Sequence, residues 1–164
     1  MVRDYDDEDN YEDQDYMQIA QDELKRVDHQ VYVTLKYTRT VDVLLNVLTR
    51  MVDAYSAMIN SLLTINKKED EELPVSVLEK VNKINEVFND PQVQENMNLY
   101  LLMKKVIKAK NITKASEYRR PVNLRTVVDG QEVMVDIDAV THYYAIMMSF
   151  YKYVELLFRN EFND

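Results

Sequence analysis

The chain of 164 residues has a hydrophobic fraction of 46%, one glycine, three prolines and no cysteine. Its apolar content is that of a folded protein, and its length is that of a single domain. The absence of cysteine excludes disulfide bonds, a thiolate nucleophile and a cysteine-bound zinc ion. No apolar run is long enough to cross a bilayer, and the N-terminus lacks the basic start of a signal peptide. We therefore expect a cytoplasmic protein without a membrane span.

The net charge of −9 is concentrated at the N-terminus. Residues 1–23 contain ten acidic residues and one basic residue, Arg3, whereas acids and bases balance over residues 24–164. Residues 1–16 have almost no aliphatic side chains, so they cannot bury enough surface to offset the entropy that ordering would cost. We predict a disordered acidic tail over 1–16 and a single domain over 17–164. The tail either solubilises the protein or binds a basic surface of this chain or of a partner.

The N-terminal half of the domain carries an unbroken heptad pattern over 20–62. No proline or glycine interrupts it, so the pattern predicts one continuous helix over 17–63, with an apolar stripe about 65 Å long at 1.5 Å per residue. Thr34 and Thr38 fall in the stripe and Tyr37 lies beside it. Either the threonines bond to the carbonyl one turn earlier, or they form a polar layer that fixes the register of a partner helix.

Further helices are predicted in the second half of the chain. A short amphipathic helix follows Pro74. The next one begins at Pro91, is capped by Asp90, and ends near Lys110. One or two additional helical turns are expected over 113–120.

Alternating apolar side chains flank an Asp-Gly pair at 129–130, which favours a type I′ turn because both of its residues need positive φ. Placing Val128 opposite Gln131 puts the apolar pairs on one face and predicts a two-stranded β-hairpin over 122–137. The last helix, capped by Asp138, is apolar around much of its circumference and is expected to be central. The fold class is therefore mainly α: a helical bundle built on one very long, coiled-coil-like N-terminal helix, with the β-hairpin before the C-terminal helix.

The sequence contains no catalytic signature. His29 and His142 are the only histidines, and neither has the glutamate three residues before it that a di-metal helical bundle needs. The single glycine excludes a glycine-rich phosphate loop and a nucleophile elbow. We therefore expect no metal and no cofactor, and we favour a binding or assembly protein over an enzyme.

The strongest local signal is a basic segment over 104–125, which has eight basic residues and one acid, Glu117. Arginines next to a tyrosine are typical of surfaces that contact phosphate or RNA. Two other interpretations are a solvated helix end with a loop, and a surface covered by the acidic tail, which would then compete with polyanions. The candidate phosphate- or nucleic-acid-binding residues are Lys104, Lys105, Lys108, Lys110, Lys114, Arg119, Arg120 and Arg125.

Three stretches carry a family resemblance: VYVTLKYTRTVDVLLNVLTRMVDAY at 31–55, SEYRRPVNLRTVV at 116–128 and VDIDAVTHYY at 135–144. They resemble an uncharacterised family of small helical archaeal proteins. Their order, long helices and then a Tyr-Arg-Arg segment before a final helix, is also similar to HEPN domains, which are helical bundles found in RNases and toxin modules. HEPN nucleases carry a histidine four to six residues after an arginine, and neither Arg119 nor Arg120 has one there. The resemblance implies a helical bundle without nuclease activity.

These observations lead to two functional expectations. The first is a non-catalytic binding or assembly protein in which the acidic tail modulates the basic segment. The alternative is a HEPN-like module that binds RNA or a nucleotide by its phosphates through the same segment. The expected partners are a second copy of the chain paired along the long helix, another protein, or RNA, with no membrane and no metal.

Overall fold

The computed structural model describes residues 15–118 and 122–163, and the side chains of these residues as far as 159. It is mainly helical, with one three-stranded antiparallel sheet before the last helix. The helical elements are α1 (Tyr16–His29), a π-helical segment (Gln30–Thr34), α2 (Leu35–Tyr37), α3 (Val41–Ile65), α4 (Val77–Phe88), α5 (Pro91–Lys108) and α6 (Ile137–Asn163). The strands are β1 (Thr113–Ala115), β2 (Asn123–Val128) and β3 (Gln131–Asp136).

The prediction of one continuous N-terminal helix is wrong, because the chain leaves the helical conformation over 38–40. Thr38 and Thr40 are both extended, with φ of −124° and −122°. The Thr40 hydroxyl accepts a hydrogen bond from the Val43 N–H at 3.2 Å, which makes Thr40 the N-cap of α3. Threonine is favoured at this position because its hydroxyl satisfies one of the free N–H groups of the first turn. The polar middle of the stripe therefore ends one helix and starts another.

The same heptad spacing of apolar residues is found before and after the break. Both α1 and α3 need this spacing because each packs its apolar stripe against the other helix. The stripe of α1 contributes the fully buried Ala20 and Val27, and that of α3 contributes the fully buried Val41 and Leu48. The prediction that Thr34, Tyr37 and Thr38 belong to the core-facing side of the helix is wrong. Thr34 is only partly buried, Thr38 is exposed, and Tyr37 is 83% exposed. Because the two stripes cover each other, pairing of two chains along a single 65 Å helix loses its structural basis.

The beginnings of α4 and α5 follow local capping rules. Ser76 is the N-cap of α4, and its hydroxyl accepts from the Glu79 N–H at 3.2 Å. The predicted Asp90 cap of α5 is confirmed, with the Asp90 carboxylate accepting from the Gln92 N–H at 2.7 Å and Pro91 at the first helical position. Helix α5 ends at Lys108, two residues before the predicted end.

The predicted hairpin is confirmed, and its sheet has one strand more than expected. Asp129 and Gly130 have φ of 50° and 80°, and Val128 pairs with Gln131 as predicted. The additional strand β1 pairs antiparallel with β2, and the helical turns predicted over 113–120 are absent from 113–118, while 119 and 120 lie outside the described residues. The hairpin ends earlier than expected, because α6 already begins at Ile137.

The predicted cap of the last helix is also wrong by two positions. The Asp136 carboxylate accepts a hydrogen bond from the Ala139 N–H at 2.8 Å, so Asp136 rather than Asp138 caps α6. This places β3 and α6 in direct succession. The first turn of α6 therefore lies at the same end of the molecule as the sheet.

The core is built around α3, against which α1, α5 and α6 pack. Tyr55 of α3 lies 5.9 Å from the ring of Tyr100 in α5 and 6.0 Å from that of Phe150 in α6. The Tyr55 hydroxyl donates to the Asn96 side-chain oxygen at 2.6 Å, and the Asn96 amide donates in turn to the Gln92 carbonyl at 2.8 Å. Burial is the main cause that raises the pKa of Tyr55 above its usual range. Among the helices that the structure describes, none is long and apolar enough to cross a membrane.

Candidate functional site

A cavity of about 480 Å³ lies beside the helix break at the sheet end of the molecule, and we call it the break pocket. One wall comes from the π-helical segment, α2 and the break itself. It consists of Val31, Tyr32, Leu35, Lys36 and Arg39. The opposite wall comes from the start of β2 and the junction of β3 with α6. It consists of Val122, Asp136, Ile137, Asp138 and Thr141.

The first wall is shaped by irregular backbone. A π-helical turn carries one residue more than an α-helical turn, and such turns are frequent at functional sites. Here the π-helical segment directs Val31 into the core and leaves Tyr32 about half exposed in the pocket. Arg39 lies within the break, where its carbonyl accepts a hydrogen bond from the Tyr118 N–H at 2.6 Å. The break is thus held by the loop that follows β1.

A second contact from the same loop fixes the start of α3. The Glu117 carboxylate accepts a hydrogen bond from the Val41 N–H at 3.2 Å. Glu117 therefore adds a side-chain cap from 76 residues away to the local cap of Thr40. A carboxylate is well suited to this position because the N-terminal end of a helix carries partial positive charge.

The second wall is formed by the first turns of α6. The Asp136 carboxylate is oriented by its bond to the Ala139 N–H, and the Thr141 hydroxyl donates to the Ile137 carbonyl at 2.8 Å. Val122 is fully buried at the base, and Asp138 is exposed. This wall therefore presents acidic groups above an apolar base.

Opposite charges face the same cavity. Lys36 and Arg39 belong to the first wall, and Asp136 and Asp138 to the second. In the part of the chain that the structure describes, no ion pair joins the two walls. The Arg39 Nε is also buried without a hydrogen-bond partner among the described residues. An unsatisfied buried donor of this kind costs about 1–3 kcal/mol.

Tyr32 is supported from behind by α6. Its ring lies 6.2 Å from the Tyr144 ring in an edge-to-face arrangement, and the Tyr144 hydroxyl donates to the Asp28 carboxylate at 3.0 Å. Burial and, next, the hydrogen bond to Asp28 raise the pKa of Tyr144 to about 12. Tyr144 therefore stays protonated at neutral pH and continues to donate.

The basic segment predicted to bind phosphate is dispersed over α5, β1 and β2 and is partly neutralised. Three of its members form ion pairs with acidic residues. The pairs are Lys105 with Asp129 at 2.6 Å, Lys114 with Asp42 at 3.4 Å, and Arg125 with Glu132 at 3.7 Å. All of these side chains are at least half exposed, so each pair is worth little and a phosphate can compete with it.

The other members of the segment differ in their surroundings. The Lys104 ammonium lies 5.5 Å from the centre of the Tyr100 ring, in the range of a cation–π contact. Lys108 and Lys110 are exposed at the end of α5, and Tyr118 is 75% exposed beyond β1. Arg119 and Arg120 lie outside the described residues, as do residues 1–14 of the predicted acidic tail. Asp15 and Tyr16 are described: they form the N-cap and the first residue of α1.

Sequence reasoning did not identify the break pocket. Its four charged residues are Lys36, Arg39, Asp136 and Asp138, and the 82 residues 40–121 separate the two walls in the sequence. The available signal was the polar run over 37–40 within an apolar stripe, which marks the break. In the described part of the chain, no three His, Asp or Glu side chains come together in a group that could hold a metal.

No family model matches the chain, and comparisons with curated proteins and with solved structures found no match to it. The geometry and chemistry of the site itself are therefore the basis on which a function is assigned.

Proposed function

We propose that this protein is a non-catalytic binding protein and that the break pocket is its ligand site. The cavity of about 480 Å³ lies within the range of small-molecule sites, which is about 300–1,000 Å³. Its walls combine apolar side chains with a few charged groups, as such sites do. The observation that carries the proposal is that basic side chains line one wall of the cavity and acidic side chains line the other, with no ion pair between the two walls among the described residues.

A binding role fits the state of the polar groups around the cavity. The Thr141 hydroxyl donates to a backbone carbonyl, and the Asp136 carboxylate accepts from a backbone N–H. Both groups are thereby oriented by the start of α6. A rigid, pre-oriented wall favours recognition because little side-chain entropy is lost when a ligand binds.

The test is a titration of the ¹⁵N-labelled full chain, followed by amide correlation spectra. The four probes are L-phenylalanine, phenylpyruvate, phenethylamine and adenosine monophosphate. We expect at least one probe to shift amides in both walls, over 31–39 and 137–141, and the Arg39→Met variant to weaken that binding about tenfold or more.

The matched control is Arg159→Met, which removes an exposed arginine paired with Glu155 on the last helix. It should bind as the unmodified chain does. Thermal unfolding of both variants checks that each is folded. The proposal is wrong if none of the four probes shifts the wall amides of the folded protein.

A second candidate is the HEPN-like module that binds RNA or a nucleotide through the basic segment. The observation in its favour is that Lys108 and Lys110 are exposed at the end of α5 and form no ion pair among the described residues. Filter binding of single-stranded RNA over a salt series tests it. Phosphate contacts predict a steep loss of affinity with salt, and the absence of binding at low salt removes this candidate.

A further inference from the structure

We infer that the ligand of the break pocket is a small zwitterion, with an ammonium group and a carboxylate on an apolar body, as in a free amino acid or a short peptide. This inference rests on the proposed function, because it names the ligand class of the same pocket. It follows from the distribution of charge over the two walls.

The two walls carry equal and opposite formal charges. Lys36 and Arg39 come from the α2 side, and Asp136 and Asp138 come from the β3–α6 junction. Within the described residues these four groups form no ion pair, so the walls do not neutralise each other by contact. A purely anionic ligand would be attracted by the basic first wall and repelled by the acidic second wall. A purely cationic ligand would be repelled by the first wall and attracted by the second. A zwitterion interacts favourably with both.

The carboxylate of the ligand is assigned to Arg39. A guanidinium presents two parallel terminal N–H groups that match the two oxygens of a carboxylate. In Arg39 the Nε is buried without a partner in the described part of the chain, so the terminal N–H groups are the donors for a ligand in the pocket. Lys36 adds a second positive charge to the same wall.

The ammonium of the ligand is assigned to the acidic wall. Asp138 lies in the first turn of α6 and is exposed, while Asp136 is fixed by its capping bond to Ala139. The helix end carries the equivalent of about half a positive charge, which would repel an ammonium. Two carboxylates outweigh that partial charge, so the wall as a whole attracts a cation.

The apolar body of the ligand is assigned to the base of the pocket and to Tyr32. Val31, Leu35 and Val122 are buried at the base, and Tyr32 offers the exposed part of its ring. A ligand made only of charged groups would leave these apolar surfaces exposed to water. An aromatic or aliphatic side chain between the charged ends would cover them.

The experiment is isothermal titration calorimetry of the full chain with three probes of the same body. L-Phenylalanine has both charges, phenylpyruvate lacks the ammonium, and phenethylamine lacks the carboxylate. We expect L-phenylalanine to bind about tenfold or more tightly than either analogue. The dipeptide leucyl-phenylalanine is a further arm: tighter binding of the dipeptide identifies short peptides as the source, and weaker binding identifies the free amino acid.

Two variants test the carboxylate and the ammonium of the ligand separately. Arg39→Met should weaken L-phenylalanine and phenylpyruvate and leave phenethylamine unchanged. Asp138→Asn should weaken L-phenylalanine and phenethylamine and leave phenylpyruvate unchanged. The matched controls are Arg159→Met and Asp22→Asn, which alter exposed charges on α6 and α1 outside the pocket.

The outcomes distinguish this inference from the proposed function. If phenylpyruvate or adenosine monophosphate binds in the pocket at least as tightly as L-phenylalanine and the dipeptide, the binding function stands and the zwitterion is wrong. If none of the probes binds, both are wrong. Loss of L-phenylalanine binding in Arg39→Met and Asp138→Asn, with the controls unchanged, supports both.

Discussion

One hydroxyl group connects the last helix to the first. Tyr144 of α6 donates to Asp28 of α1, and its ring supports Tyr32 in the wall of the break pocket. The hydroxyl can donate only while it is protonated. Its ionisation is therefore linked both to folding and to the position of a pocket residue.

This linkage gives a prediction about alkaline pH. Burial first, and then Asp28, raise the pKa of Tyr144 to about 12 from the ordinary value of 10.0. Because the folded chain holds this proton more tightly than the unfolded chain does, Tyr144 contributes stability that is fully present below pH 10 and is lost as the pH rises towards 12. Urea unfolding over this range should show a smaller loss of stability for Tyr144→Phe than for the unmodified chain.

The control for this prediction is Tyr37→Phe, because Tyr37 is almost fully exposed. It should lose stability with pH as the unmodified chain does. If the free energy of unfolding falls equally with pH for Tyr144→Phe and for the unmodified chain, the ionisation of Tyr144 is not linked to folding in this pH range.

At the scale of single elements, the start of α3 has the most specific support. Thr40 caps α3 locally, and Glu117 does so from the loop after β1. Thr40→Ala should lower the free energy of unfolding by about 1 kcal/mol, because it leaves the Val43 N–H without its side-chain acceptor. Denaturant unfolding measures the change.

The matched control for this cap is Thr49→Ala. Thr49 is exposed within α3, and its hydroxyl donates to the Leu45 carbonyl of the same helix. Removal of the Thr49 hydroxyl should change the free energy of unfolding by less than about 0.5 kcal/mol. Equal effects of the two substitutions would mean that Thr40 contributes no cap.

The elements that could be predicted from the sequence are those whose conformation is decided locally. The hairpin was predictable because Asp129 and Gly130 both adopt positive φ, which few other residue pairs do at low cost. The start of α5 was predictable because Asp90 and Pro91 are a cap and a first-turn residue. In each case two neighbouring residues carry the whole signal.

The elements that could not be predicted depend on distant partners. The break over 38–40 contains residues that a helix tolerates, and it is held by Glu117 and Tyr118. Strand β1 has three residues, which is too short for an alternating pattern, and it exists through pairing with β2. The break pocket is unpredictable for the same reason, since its walls are far apart in the chain.

At the scale of the whole molecule, the N-terminal acids and the basic segment are the largest opposed charges. We predict that deleting residues 1–14 strengthens RNA binding at low salt, because the tail competes with RNA for the basic segment. The truncation ends before Asp15, whose carboxylate caps α1 by accepting from the Gln18 N–H at 3.1 Å. Filter binding at low and high salt measures the effect, which should vanish at high salt.

A chain with the tail acids replaced by Asn and Gln is the control for tail length. It should bind RNA as the truncated chain does if charge is the cause. Binding that is unchanged or weaker after truncation contradicts the competition.

The position of the break pocket also has a consequence for the order of folding. Helices α1 and α3 are separated by a short connection, so they can pack early at a small entropic cost of loop closure. The pocket needs 31–39 to meet 122–141, which requires closing a loop of half of the chain. Contacts of this kind form late, and stabilising late contacts slows unfolding more than it speeds folding. A ligand held in the break pocket would therefore lengthen the lifetime of the folded state and leave the rate of its formation nearly unchanged.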